Sequence, residues 1–81
     1  MKVKDLAAVL ENNQYVELLD PDPMNNLFGG EYEGNIGNLN SDYYDNCEVI
    51  GTHLESRIIR PENDDRTILI TVMEIYIKRG D

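Results

Sequence analysis

Hydrophobic positions along the chain follow two periods, and the change from one to the other marks where helix gives way to strand. Val3, Leu6, Ala7 and Leu10 lie at i, i+3, i+4 and i+7, the spacing of a single helical face. The pattern predicts a helix over residues 3–12, with Asn12 and Asn13 as its stop because Asn tolerates left-handed backbone. Residues 14–19 bring β-branched and aromatic side chains and predict a first strand. Asp20-Pro21-Asp22-Pro23 ends it, since neither proline can donate to a ladder. Residues 27–32 predict a weaker second strand, in which Gly29 and Gly30 either bulge the chain or let another backbone come close. Residues 33–46 hold Gly34, Gly37, four Asn and two Asp, the composition of irregular chain, with one helical turn expected near Ser41 to Tyr44.

The last third has the clearest period. Ile50, Thr52, Leu54, Ser56 and Ile58 alternate with Gly51, His53, Glu55 and Arg57, predicting a strand over residues 47–60. Pro61 to Arg66 is turn chemistry, and residues 67–78 form the second arm of a long hairpin. Ile68, Leu69, Ile70, Val72, Met73, Ile75 and Ile77 occupy both faces of that arm, the mark of a central strand covered on both sides for part of its length. The fold class expected is α+β: a single two-layer domain over residues 1–81, its antiparallel sheet of about three to four strands carrying one main helix on one face. One helix leaves much of such a sheet bare, so further cover has to come from the middle segment or from a second subunit, which makes a homodimer an expected partner state.

Length and charge narrow the functions open to this fold. A chain of 81 residues removes only about 60–65% of its unfolded surface from water. It is poorly suited to enclosing the roughly 300 Å³ or more of a small-molecule pocket, so no enzymatic activity is expected. Sixteen acidic against seven basic residues give a formal net charge of −9, which disfavours nucleic acid and anionic membrane and steers the protein toward basic surfaces. From Asp5 to Ser56 there are eleven carboxylates and not one Lys or Arg. The only cysteine, Cys47, excludes an internal disulfide and a Cys-rich metal site and fits a reducing, cytoplasmic setting. No apolar run approaches the ~20 residues of a membrane span, and Asp5 and Glu11 stand where a signal peptide has its apolar core.

Few residue constellations carry chemistry. His53 is the only histidine, and its separation from Cys47 along one extended strand is too great for a nucleophile pair. Asn38, Asn40 and Asp42 have the opening spacing of a calcium loop, but Tyr43 stands where glycine is required and Val49 where a bidentate Glu belongs. Asp20 with Asp22, or Glu62 with Asp64 and Asp65, offer at most a weak cation site, so no metal or cofactor is expected. Gly29, Gly30 and Gly34 lack the Lys-Ser/Thr pair of a phosphate loop and lie beside Glu31 and Glu33. Arg57, Arg60, Arg66, Lys78 and Arg79 are interleaved with Glu55, Glu62, Asp64, Asp65 and Glu74, which speaks against direct nucleic-acid binding.

What remains is an acidic surface punctuated by tyrosines: Asp20, Asp22, Glu31, Tyr32, Glu33, Asp42, Tyr43, Tyr44, Asp45 and Glu48, with Glu17 among the same acids. Glu31 and Glu33, two apart on a strand, would project from one face about 6.8 Å apart. A row of that kind can fill a Lys/Arg groove built for a phosphate backbone, and tyrosines between the acids supply rigid anchors. The blander explanation is a solvated acidic face with Tyr43 and Tyr44 packed as core.

The Met1-Lys2-Val3-Lys4-Asp5-Leu6 opening, the Tyr15-Val16-Glu17-Leu18 strand, the Leu27-Phe28-Gly29-Gly30 step and the Asp45-Asn46-Cys47-Glu48-Val49-Ile50 strand entry together resemble small proteins of bacterial prophages and other mobile elements. In size, acidity and helix-then-strand opening the chain is also similar to phage anti-CRISPR proteins. That similarity implies a DNA-mimicking inhibitor occupying the basic surface of a host protein such as a nucleic-acid-binding nuclease. The long apolar C-terminal hairpin departs from this type. It leads to the alternative of a structural or assembly accessory that self-associates through the hairpin, its charge serving solubility.

Overall fold

The computed structural model describes residues 1–39, 42–60 and 65–78. Its elements run α1 (Val3–Val9), β1 (Tyr15–Leu19), a 3-10 turn (Pro23–Asn26), β2 (Tyr32–Asn35), a second 3-10 turn (Ile36–Asn38), α2 (Asp42–Asp45), β3 (Glu48–Ile59) and β4 (Ile68–Lys78). The strands form one sheet in the order β2-β1-β4-β3. β1 pairs with β2 and β3 with β4 in antiparallel fashion, but β1 and β4 are parallel, Tyr15 lying opposite Val72 and Leu19 opposite Tyr76. The α+β class and the four-stranded size hold, while the expected all-antiparallel sheet is corrected to a mixed one. β4 lies between β3, its hairpin partner, and β1, the strand that follows the first helix.

Element boundaries shift for identifiable reasons. The helix stops at Val9, short of residue 12, because Leu10 turns extended (ψ 150°) and packs against the core. Asp5 steadies its start by accepting the Lys2 N–H at 3.1 Å. The second strand begins at Tyr32, five residues later than expected, because the Asp22 side chain caps the Pro23–Asn26 turn by accepting the Met24 N–H at 3.0 Å. The chain then reverses through Gly29, at φ +103°. Gly30 serves close backbone approach: a Cβ there would lie 2.6 Å from the Leu18 carbonyl oxygen. The expected helical turn appears as α2 at Asp42–Asp45. Asn40 and Ser41, the expected turn residues Pro61, Glu62 and Asp64, and Arg79 lie outside the described residues.

Alternation along the strands separates two faces. On one, Val16 and Leu18 of β1 and Ile75 and Ile77 of β4 meet Val3 of α1, Ile36 and Cys47, all buried, with Leu6, Ala7, Leu10, Leu39, Tyr44 and Met73 around them. The middle segment thus supplies the extra cover that one helix cannot. The other face carries no helix among the described residues, and Val72 is nonetheless fully buried there beneath longer neighbours. Two-sided cover of β4 is confined to its second half. β1 reaches only Val72 to Tyr76, so residues 68–71 with their β3 partners continue as a two-stranded arm, on which Ile58 and Leu69 are 74% and 69% exposed.

Gly30→Ala is expected to lower stability by about 1–3 kcal/mol through overpacking against the Leu18 carbonyl. Gly51→Ala, where an added Cβ meets nothing within 4 Å, is expected to stay within about 0.5 kcal/mol of the wild type. Urea unfolding midpoints check both.

Candidate functional site

The helix-free face collects charge that the strand order assembles from distant parts of the chain. Glu33 of β2 lies opposite Glu17 of β1, Glu17 opposite Glu74 of β4, and Glu74 opposite His53 of β3. Three glutamates and the histidine thus form one row across four strands, at the strand spacing of about 4.8 Å. Glu55 and Arg57 continue along β3 from His53. The same alternation that sends Val16, Leu18 and Ile75 into the core sends Glu17 and Glu74 to this face.

Arg57 is the hub of the row. Its Nη2 donates to Glu17 Oε1 at 2.6 Å and to Glu74 Oε2 at 3.0 Å, and its Nε donates to Glu55 Oε1 at 2.6 Å. Glu33 stands 4.0 Å from Nη1 and accepts the Tyr15 hydroxyl at 2.8 Å. The side chains of Glu17 and Glu74 are only 11% and 13% exposed, so these two pairs are screened less than ordinary surface ion pairs. The Arg57 guanidinium holds the Glu55 carboxyl below the usual carboxylate range, and its carboxylate partners, Glu55 foremost, raise its own already high value. Burial, then the hydrogen bond to Glu33, pushes the Tyr15 phenol up. Four carboxylates against one guanidinium leave this patch a local charge of −3.

The ten residues of the expected acidic surface are distributed more widely. Glu33 alone joins the row. Asp20 and Asp22 organise the turn after β1, Asp20 accepting the Asp22 N–H at 2.8 Å. Glu31 precedes β2: its N–H donates to the Leu18 carbonyl, and its own carbonyl accepts the Tyr44 hydroxyl at 3.4 Å. Glu31 stands one residue before β2, and the acids that line up in register do so across strands. Tyr32 packs against the core and donates its hydroxyl to the Asn35 carbonyl. Asp42, Tyr43, Tyr44 and Asp45 form α2 on the helical side, where Tyr44 packs against the core and Tyr43, half exposed, meets it edge to face at 5.1 Å. Glu48 pairs with the N-terminal ammonium at 3.3 Å.

Sequence reasoning left Glu55, Arg57, Glu74 and His53 out of the site. A signal was present, since Glu17 and Glu74 interrupt otherwise apolar strands, and a carboxylate in such a run needs a partner. The partner's identity depended on strand order. His53, Glu55 and Glu74 also bring one ligand atom each within 4.8 Å of one another, a set able to meet a transition-metal ion. Arg57 already engages both of those carboxylates and would have to yield to a cation. Cys47 is buried apart from His53, its thiol donating to the Tyr43 carbonyl at 3.4 Å. An open notch of about 450 Å³ beside the start of β1 is lined by Asn13, Gln14, Tyr15, Asn35, Ile59, Ile70 and Thr71. No carboxylate or imidazole reaches it among those residues.

No protein-family model matches the chain, and neither a curated protein nor a solved structure matches it. Among the described residues, no helix is long and apolar enough to cross a membrane.

Arg57→Met is expected to cost about 1–2 kcal/mol at neutral pH, discounted from the value for fully buried pairs because Arg57 stays 26% exposed. Glu55 titrates below its ordinary 4.5 in the folded chain. Its contribution is therefore present above that value and is lost as pH falls through the lower folded one. The stability gap between wild type and Arg57→Met should accordingly narrow on acidification, read from urea midpoints at neutral pH and near pH 4.

Proposed function

We propose that this protein is a non-enzymatic interaction module that docks its helix-free sheet face onto a Lys/Arg-bearing surface of another protein, of the kind nucleic-acid-binding proteins present. The observation that carries this reading is the Glu33, Glu17 and Glu74 row with Glu55 beside it, four carboxylates on adjacent strands that share one internal guanidinium. Arg57 serves as a template for how a partner's arginine would sit: bridging carboxylates from different strands, its plane supported by the sheet. The three unbalanced charges are the capacity left for such a partner. Tyr15 and Tyr76 share this face with the row, adding aromatic surface of the kind that anchors interfaces.

A rigid sheet suits the task better than a loop cluster, because the carboxylates are held in register before binding and lose little freedom on contact. The net charge of −9 accelerates encounter with a basic partner and makes binding salt-dependent. Occupation of a phosphate-binding groove, the inhibitor role, is the form this docking takes when the partner is a nucleic-acid-binding protein. Glutamates one strand apart, at about 4.8 Å, are then spaced on a scale comparable with the charges along a nucleic-acid strand.

An arginine-rich peptide is the direct probe. Its affinity, measured by calorimetry, is expected to fall at least about tenfold between roughly 50 and 300 mM salt. Glu33→Gln, at an exposed position, should weaken it several-fold, whereas Asp42→Asn with Asp45→Asn, on the helical side, should leave it nearly unchanged. Equal loss from both variants would mean that charge, and not this face, drives the contact.

A further inference from the structure

The outer edge of the sheet at β3 is open over most of its length. β3 ends the order β2-β1-β4-β3, and its first residues alone find an outer partner: Lys2 bridges to Glu48, and the Val49 N–H donates to the Met1 carbonyl at 2.8 Å. A bulge follows between Val49 and Gly51. From Gly51 onward no described strand lies outside it, and every second residue presents its backbone N–H and C=O to solvent. Edge strands are commonly kept apart by lysine, proline or short length. β3 spans 12 residues, with no Lys and no Pro among them. It exposes Leu54 at 59% and Ile58 at 74%.

The strand is also self-complementary. Laid antiparallel against a copy of itself with Leu54 opposite Leu54, it sets Thr52 against Ser56, His53 against Glu55 and Gly51 against Arg57, while Ile50 meets Ile58 at the ends. Hydroxyl faces hydroxyl, imidazole faces carboxylate and aliphatic faces aliphatic, and no like charges stand opposite each other. The neighbouring registers lack this match. Centring on Glu55 opposes it to itself and sets His53 against Arg57; centring on His53 opposes the two imidazoles and sets Thr52 against Leu54. The glutamates of β1 and β2 lie on the far side of the sheet from this edge, so two copies meeting here keep most of their acidic row apart.

We infer that this edge fits a second copy of the chain, β3 pairing with β3 about a twofold axis at Leu54 over residues 51–57, so that two four-stranded sheets become one continuous sheet. The Met1-Lys2 segment alongside the start of β3 stops the pairing from running further. The Leu54 side chains, exposed in the single chain because α1 does not extend over them, cover one another across the axis. The inference rests on the backbone edge of β3 and on Leu54, not on the acidic docking face, although Glu55 and Arg57 of that face stand on the same strand.

Sedimentation of the full chain at roughly 100 μM is expected to give a species of about twice 9.3 kDa. Leu54→Lys and Leu54→Glu should each be monomeric, since each opposes like charges across the axis, and mixing the two should restore a dimer. Val9→Lys, at a 76% exposed helix position, should leave the wild-type dimer intact. Amide exchange of the wild type adds a readout free of any folding defect: protection over residues 51–57 should rise with protein concentration. Added salt should preserve or strengthen this dimer of like-charged copies while weakening the arginine-rich peptide, which separates the two contacts. A monomeric wild type would overturn the inference. So would a Leu54→Lys dimer, or a dimer lost in Leu69→Lys and kept in Leu54→Lys, which would place the contact on the face of the arm.

Discussion

Arg57 ties three strands together on the face of the sheet that no described helix covers. Placing β1 parallel beside β4 brings Glu17 directly opposite Glu74, two carboxylates a strand spacing apart on a partly covered face. Their repulsion at that distance is on the order of 3 kcal/mol for an effective dielectric constant of about 20, a large share of the stability of a small domain. Arg57 reaches across β4 to both and takes Glu55 from its own strand as well. The arrangement fastens β3 to β4 and β1 on the side where no described helix packs, and Val72 lies fully buried on that side. Cohesion and surface charge therefore come from the same residues.

The helical side works differently. There Val3, Val16, Leu18, Ile75 and Ile77 are held by apolar burial, and the acids of α2 stand at the margin. The Lys/Arg-free stretch of the chain is thus divided between two sides of the sheet: Glu17, Glu33 and Glu55 on one, Asp42 and Asp45 on the other. A compositional bias that is continuous in sequence becomes two surfaces in space, one organised into a row and the other spread along a short helix.

Local periods were legible in the chain and long-range pairing was not. The helical face of Val3, Leu6, Ala7 and Leu10 and the alternation from Ile50 to Ile58 each reflect side-chain direction within one element, which residue spacing encodes directly. The second strand was misplaced because its start is set by the Asp22 cap and by Gly29 and Gly30, turn features whose extent depends on what the backbone meets, here the Leu18 carbonyl. The parallel pairing of β1 with β4 leaves no local mark, since it joins residues more than fifty positions apart. The site inherited that limit. Glu33 and Glu17 were visible among many acids, whereas Glu74 and Arg57 acquire their roles only once three strands are set side by side, and Glu74 sits in a run that reads as plain core.

Placing the C-terminal strand at the middle of the sheet has a consequence for synthesis. β4 is synthesised after β1, β2 and β3, yet β1 and β3 both pair with it. Until it emerges, the nascent chain can form α1 and the β1–β2 hairpin, but Val16 and Leu18 lack their Ile75 and Ile77 neighbours and Glu17 lacks its cation. Closure must wait for a contact spanning most of the chain, the kind that slows folding and leaves apolar strands uncovered in the interval. A nascent chain of this protein thus stays dependent on β4, Ile68–Lys78, and chaperones that bind exposed apolar segments have their window before that strand appears.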